Sequence, residues 1–310
     1  MKFRVIFLKK KNILYFLILV LVLLIFLVFF FRNTTTTFNV TEKNSIKADL
    51  NGDGHDDILN VKNDNNKYYI EINTKSKTYT LDPDKDIKTL GIYSSTWPMK
   101  INMVDISRDR IPEIFIQSSY KDNPLQHIFH WNGEKFENIF SNSNSILGFI
   151  DYNNNKTPKI VSGAIVNNKI NLNNYIFSNY KFTSYNYDCK DTFMGKDSVL
   201  YFINFIQGLP NNEAYRPNDI FAPNISGKSL STIGTLSGEN NKYIFQDALF
   251  MDTKCDKDGE ASEVKWVLNF KGISNANKYV AKNYTITLFL KPVNDSSASC
   301  YFKIYSINIS

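Results

Sequence analysis

"ADLNGDGHDDI", residues 48–58, decides how the chain is read. Asp49, Asn51 and Asp53 stand at positions 1, 3 and 5 of a nine-residue loop; Gly54 at position 6 permits a sharp turn, and Asp57 closes the loop at position 9. A calcium ion takes about six to eight oxygen ligands at roughly 2.3–2.6 Å. This spacing offers side-chain oxygens from Asp49, Asn51, Asp53 and Asp57, with the backbone carbonyl of His55 at position 7. The His55 imidazole is a bystander, because oxygen is the preferred donor for so hard a cation. An EF-hand would place Glu at position 12, where Asn60 stands, and would flank the loop with helices rather than with the strand-like "ILNVK". The competing reading is an Asx-rich turn without metal, in which the same side chains accept backbone N–H groups.

The loop is the first of three. Each copy opens with acidic and amide residues, runs into an apolar strand and continues through two more: "ILNVK", "KYYIEIN", "KTYTL"; then "IFIQSS", "QHIFHW", "KFENIF"; then "IVSGAIV", "NKINLNNYIF", "YKFTSYNYD". Asn132-Gly133 reads as a type I′ hairpin turn in the second copy. Asp49, Asp105 and Asp151 begin the copies, 56 and then 46 residues apart (105 − 49 and 151 − 105). Such a period with several short strands per unit indicates propeller blades or a related array. Three blades do not close a ring of about four to eight. Residues 45–187 are therefore expected to form an open arc or a compact β-sandwich.

D-x-N-x-D-G-x-x-D running straight into a strand resembles the calcium loops of FG-GAP and VCBS repeats, the blade units of integrin-like β-propellers. The resemblance spans roughly residues 45–180 and is closest in the first copy. It implies a β-rich extracellular binding or adhesion scaffold with calcium as a structural ion. The other copies depart from the pattern. Asp105, Ser107, Asp109 and Glu113 keep oxygens at positions 1, 3, 5 and 9, but Arg110 replaces the turn glycine and Arg108 adds a second cation. In the third, Asp151, Asn153 and Asn155 are followed by Lys159 at position 9, whose ammonium would replace an ion's charge.

Residues 13–31, "ILYFLILVLVLLIFLVFFF", are 19 apolar or aromatic residues without a charge. At ~1.5 Å per helical residue they match a hydrocarbon core of roughly 30 Å and read as an uncleaved transmembrane helix. A signal peptide would have a shorter apolar region and a small-residue cleavage site, whereas this one ends in three Phe and Arg32. Lys2, Arg4, Lys9, Lys10 and Lys11 precede it, so residues 1–12 are expected in the cytoplasm and residues 33–310 outside, beyond a polar spacer over 32–44. Residues 1–32 hold six of the 36 basic residues and none of the 30 acidic ones, leaving 30 against 30 beyond them. The net charge of +6 is thus a topology signal, and no basic surface for nucleic acid is expected.

From residue 188 the repeat is lost. Asp197 is expected to cap a helix over 198–207, stopped by Gly208 and Pro210, and long alternating segments follow. These indicate a C-terminal α+β domain, 188–310, with a curved antiparallel sheet. Cys189, Cys255 and Cys300 allow one disulfide in an oxidising compartment, or three separate buried thiols.

Catalytic motifs fail in context. "APNISGKS", residues 222–229, resembles a phosphate loop, but no buried strand is expected before it and no helix after it. Ser262 and Lys265 fall on opposite faces of a strand, as do His127 and His130, and "DKDGE", 256–260, reads as a hairpin turn.

The chain is thus expected to be mainly β: a transmembrane helix, a propeller-like array of about three units, and an α+β domain. It is read as a membrane-anchored, non-catalytic binding or adhesion protein with an extracellular protein or polysaccharide partner. An envelope hydrolase with its site in the C-terminal domain, and a scaffolding or sensory subunit, are the alternatives.

Overall fold

The computed structural model describes residues 11, 15–16, 18–23, 36–39, 45–150, 158–185, 192–211, 217–293 and 300–310. They fall into two compact units, Met1–Thr36 and Thr37–Ser310. In the first, Lys11, Tyr15, Phe16 and residues 18–23 are helical and exposed. Among the described residues no helix is long and apolar enough to cross a membrane, and the remainder of 13–31 lies outside them.

The second unit is built on hairpins whose registers are set by short turns. Asn65-Asn66, Lys121-Asp122, Asn167-Asn168 and Asn179-Tyr180 each have both central residues at positive φ, between 50° and 63°. That is the backbone of a type I′ turn, whose twist matches the flanking strands and which asparagine tolerates better than most residues. The turns join β3 (Asp57–Asp64) to β4 (Lys67–Asn73), β7 (Glu113–Tyr120) to β8 (Asn123–Trp131), β11 (Lys159–Val166) to β12 (Lys169–Ser178), and β12 to β13 (Lys181–Tyr185). Asn132-Gly133 differs from expectation. Only Gly133 is left-handed, and residues 132–135 make a wider turn in which Asn132 Oδ1 accepts the Glu134 and Lys135 N–H groups.

β2 (Ser45–Ala48), β3, β4 and β5 (Thr78–Thr80) form a four-stranded sheet. β1 (Thr36–Asn39), β6 (Lys100–Val104), β7, β8 and β9 (Phe136–Asn142) form a five-stranded one. Ile46, Leu59, Ile70 and Ile72 of the first share a core with Ile101, Ile114, Ile116 and Phe129 of the second. Phe115 and Ile128, on the opposite face, pack with Leu147, Phe149, Leu249 and Val267.

The third copy does not make a third blade. β10 (Ile146–Ile150), β11, β12 and β13 merge with β14 (Asn241–Cys255), β15 (Ala261–Ser274), β16 (Ala281–Pro292) and β17 (Phe302–Ile309) into one eight-stranded sheet. β10 pairs in parallel with β14, Ile146 opposite Ala248 and Phe149 opposite Met251. The C-terminal sheet is therefore mixed rather than antiparallel, it crosses the expected 187/188 boundary, and no propeller is seen among the described residues. The reason lies in β10, all five residues of which are buried. A strand covered on both faces needs neighbours on both edges, and a parallel neighbour is reached through a long crossover.

That crossover carries the helices. α1 (Lys196–Gln207) starts two residues before the expected point: Gly195 (φ 73°) is its N-cap, and Asp197 lies in the first turn with Oδ1 accepting the Ser198 N–H at 2.8 Å. Gly208 ends it, as expected. α2 (Gly227–Gly238) corrects the reading that no helix follows "APNIS". Its glycines, serines and threonines have poor helix propensity, but burial of Ile233 and Leu236 in the core overrides that, and Ser226 Oγ caps the Ser229 N–H at 3.1 Å. Asp256 to Glu260 form the expected β14–β15 turn, with Asp256 Oδ1 accepting the Asp258 and Glu260 N–H groups.

A rung of polar side chains fastens the repeats to this sheet. Lys100, Gln117, Gln126 and Asn142 are successive register partners across β6, β7, β8 and β9. Lys100 pairs with Asp247, which also accepts from Trp97 Nε1 and Asn269 Nδ2. Gln117 and Gln126 donate to the Ala248 and Ile146 carbonyls at 3.1 and 2.9 Å, and Asn142 to Ser162 Oγ at 2.9 Å. Burial pulls the Lys100 ammonium down and Asp247 opposes that shift. Removing one member of such a pair costs about 3–5 kcal/mol, which ties the two halves together energetically.

Candidate functional site

The loop over residues 49–57 links β2 to β3, with Ala48 and Asp57 paired across its base. All five expected ligand residues lie in it. Asp49 Oδ1 accepts the Gly52 N–H at 2.7 Å and Oδ2 the Gly54 N–H at 2.9 Å. Asn51 Oδ1 accepts from Asp53 N at 3.0 Å, and Asp53 Oδ1 from His55 N at 2.9 Å. Asp57 Oδ2 accepts from Leu50 N at 2.9 Å. The His55 ring lies 3.4 Å from Lys75 Nζ, at the exposed rim.

Asp57 is fully buried, and its Oδ1 has no hydrogen-bond partner. Desolvation, followed by the nearby Asp53 and Asp49 carboxylates, pushes its pKa up, against the pull of the Leu50 N–H. A buried carboxylate oxygen without a donor costs about 1–3 kcal/mol or more. A cation among these side chains would satisfy it and relieve the repulsion. The oxygen-rich donor set and the orphaned Oδ1 therefore fit a hard divalent ion. Among the described residues no group of three or more His, Cys, Asp or Glu is drawn together as a metal cluster; Asp49, Asn51 and Asp53 turn oxygens to loop N–H groups instead, and Asp57 Oδ1 is left without a donor.

The second loop repeats this backbone at an offset of 56 residues. Asp105 accepts from Arg108 N at 2.7 Å and Arg110 N at 3.0 Å, Asp109 from Ile111 N at 2.8 Å, and Glu113 Oε2 from Ile106 N at 2.8 Å. Arg108 and Arg110 take the left-handed φ of Gly52 and Gly54, 66° and 73° against 78° and 80°. Gly52 also packs closely on the second loop: a Cβ there would come within 2.6 Å of Ile111 Cδ1, so the Ile111 side chain would have to shift.

The loops differ at the closing carboxylate. Glu113 Oε1, the counterpart of the orphaned Asp57 oxygen, meets His130 Nδ1 at 3.0 Å, with both side chains buried. Across a two-residue turn, paired positions have a constant sum: 113 + 130 equals 121 + 122, and 57 + 74 equals 65 + 66. His130 and Thr74 are thus the equivalent residues, and Thr74 Oγ1 instead donates to the Lys77 carbonyl at 2.9 Å. Phe177 and Tyr180 hold the His130 ring from the next sheet, at 5.2 and 5.4 Å between centroids. Sequence reasoning missed this contact; the turn at Lys121-Asp122 was the signal that would have found it. Residues 151–157 of the third loop lie outside the described residues, and Lys159 opens β11.

His127 faces the other side of β8 and makes no ligand pair with His130. Its Nδ1 lies 2.8 Å from Ser141 Oγ, and burial pulls its pKa down to about 4 despite the Thr89 carbonyl and Asp84. Ser262 and Lys265 stand three residues apart on β15, as expected, on opposite faces. Cys189 lies outside the described residues.

The FG-GAP-like repeat family matches residues 49–116, both loops included. That is 68 of 310 residues (116 − 49 + 1), enough to assign a β-repeat of this type to that segment. No curated protein and no solved structure matches the chain.

Proposed function

We propose that the chain is a membrane-anchored binding protein, adhesive rather than catalytic, whose first β-repeat is held together by one calcium ion. Asp49, Asn51, Asp53, the His55 carbonyl and Asp57 would hold the ion, and residues 13–31 would anchor the chain with 33–310 outside. The observation that carries the calcium reading is the buried, partnerless Asp57 Oδ1, in a segment that matches FG-GAP-like repeats. The charge asymmetry about 13–31 supports the topology. The ion would neutralise three crowded carboxylates and so keep the loop, and the Gly52–Ile111 contact with the second loop, in one shape. An extracellular protein or polysaccharide is the partner class.

Protease added outside intact cells tests both halves. Digestion beyond residue 32 should be slow with calcium and fast with a chelator. Protection under both conditions until the membrane is opened would overturn the topology, and equal digestion under both would overturn the calcium role.

A further inference from the structure

One end of the eight-stranded sheet has a composition unlike the rest. Residues 271–284 carry Lys271, Lys278 and Lys282 and no acidic residue. Strand register brings Lys242 to the same end: Lys242 lies opposite Ile273, Ile244 opposite Lys271, and Gly272 opposite Lys282. None of these four lysines pairs with a carboxylate among the described residues. Glu239, the nearest acidic residue in sequence, is held by Tyr284 and Asn241.

The tip between β15 and β16 is a built turn. Ser274 N bonds to the Val280 carbonyl at 3.0 Å, Val280 N to the Asn277 carbonyl at 2.9 Å, and Tyr279 N to Asn277 Oδ1 at 3.0 Å. This frame holds Tyr279 fully in solvent, at 100 % exposure, with Val280 at 46 % and Ile244 at 37 %. A turn that displays an aromatic ring and Val280 beside unpaired lysines, with Ile244 exposed on the adjoining strand β14, is suited to a surface that is apolar inside and anionic outside.

We propose that this tip docks on an anionic lipid surface, Tyr279 and Val280 entering the headgroup region and the lysines meeting the lipid charge. Amphipathic aromatic rings favour that depth, and each lysine near an anionic leaflet strengthens binding about fivefold. An acidic protein is the less suitable occupant. A specific protein interface takes about 20–30 residues a side, whereas the tip presents six consecutive exposed residues, 275–280. The inference is independent of the calcium reading and rests on the proposed membrane anchoring only for its setting.

The test uses residues 33–310, which hold every strand of the described residues but lack segment 13–31, so the outcome does not depend on whether 13–31 spans a membrane. Co-sedimentation with phosphatidylglycerol vesicles should be strong at low salt, weak at high salt, and lost with pure phosphatidylcholine. Lys278→Ala with Lys282→Ala should weaken binding about twenty-five-fold, and Tyr279→Ser should weaken it with the charge unchanged. Circular dichroism should show unchanged spectra for these variants, since the substituted residues are exposed. Absence of binding, equal binding by the variants, or equally tight binding to soluble polyglutamate would overturn the proposal.

Discussion

Replacing Asp57 with asparagine separates a metal-holding loop from an ordinary acidic turn. In the calcium-free protein the Asp57 carboxylate is buried with one oxygen unpartnered, and its pKa is raised by burial and by Asp53 and Asp49. A carboxyl whose folded pKa lies above its unfolded value of 3.8 binds its proton more tightly when folded. Stability of the calcium-free state therefore falls as pH rises from that value through the raised one, and at neutral pH the ionised group is a net cost. Asp57→Asn removes the charge and keeps a carbonyl for the Leu50 N–H. Without calcium the variant should be at least as stable as the wild type. Calcium should add about 2.7 kcal/mol to the wild type at a free concentration a hundred times its dissociation constant. For a unit of this size that is roughly 5–10 °C in Tm, and the variant should show almost none of it. Scanning calorimetry of residues 33–310 in chelator and in millimolar calcium measures all four values. A wild-type Tm that ignores calcium, or an Asp57→Asn shift equal to the wild-type one, would refute the reasoning.

His130→Ala should strand the buried Glu113 Oε1 and lower stability by about 1–3 kcal/mol in urea denaturation, equally with and without calcium; a calcium-dependent loss would mean that the second loop also holds an ion. His127, with a folded pKa of about 4 against 6.5 unfolded, is neutral in the folded state where the unfolded chain is charged. Its contribution is present above pH 6.5 and is lost as pH falls towards 4, by up to roughly 3 kcal/mol, and His127→Gln should flatten the stability profile over that window. Residues 188–310 expressed alone should lack a cooperative thermal transition, because β14 loses its parallel partner β10, whereas residues 144–310 should regain one; circular dichroism distinguishes the two.

Much of the repeat region was legible because its signals are local. The spacing of Asp49, Asn51, Asp53 and Asp57 placed the loop directly before a strand, though not after the short strand β2, and "KYYIEIN" alternates in burial as its letters alternate in polarity. Gly208 marked a helix end and "DKDGE" a hairpin for the same reason: each depends on the backbone preferences of a few adjacent residues. The Asn-Asn turns are local signals of the same kind, but the contact of Glu113 with His130, across the Lys121-Asp122 turn, was not read from the sequence.

Long-range contacts decided the rest. Nothing in "SILGFI" states that its parallel neighbour will be a strand about a hundred residues later, because an all-apolar strand specifies burial but not the partner that supplies it. The same holds for α2, whose weak propensity is overridden only by the core against which Ile233 and Leu236 pack. Two loops with one backbone and different closing partners are the sharpest case. The sequence by itself determined that Asp57 and Glu113 occupy equivalent positions. Only the tertiary structure decided that Phe177 and Tyr180 would hold the His130 ring against Glu113, leaving the Asp57 oxygen as the one without a donor, because side-chain satisfaction depends on what the fold brings near and not on the spacing that placed the carboxylates.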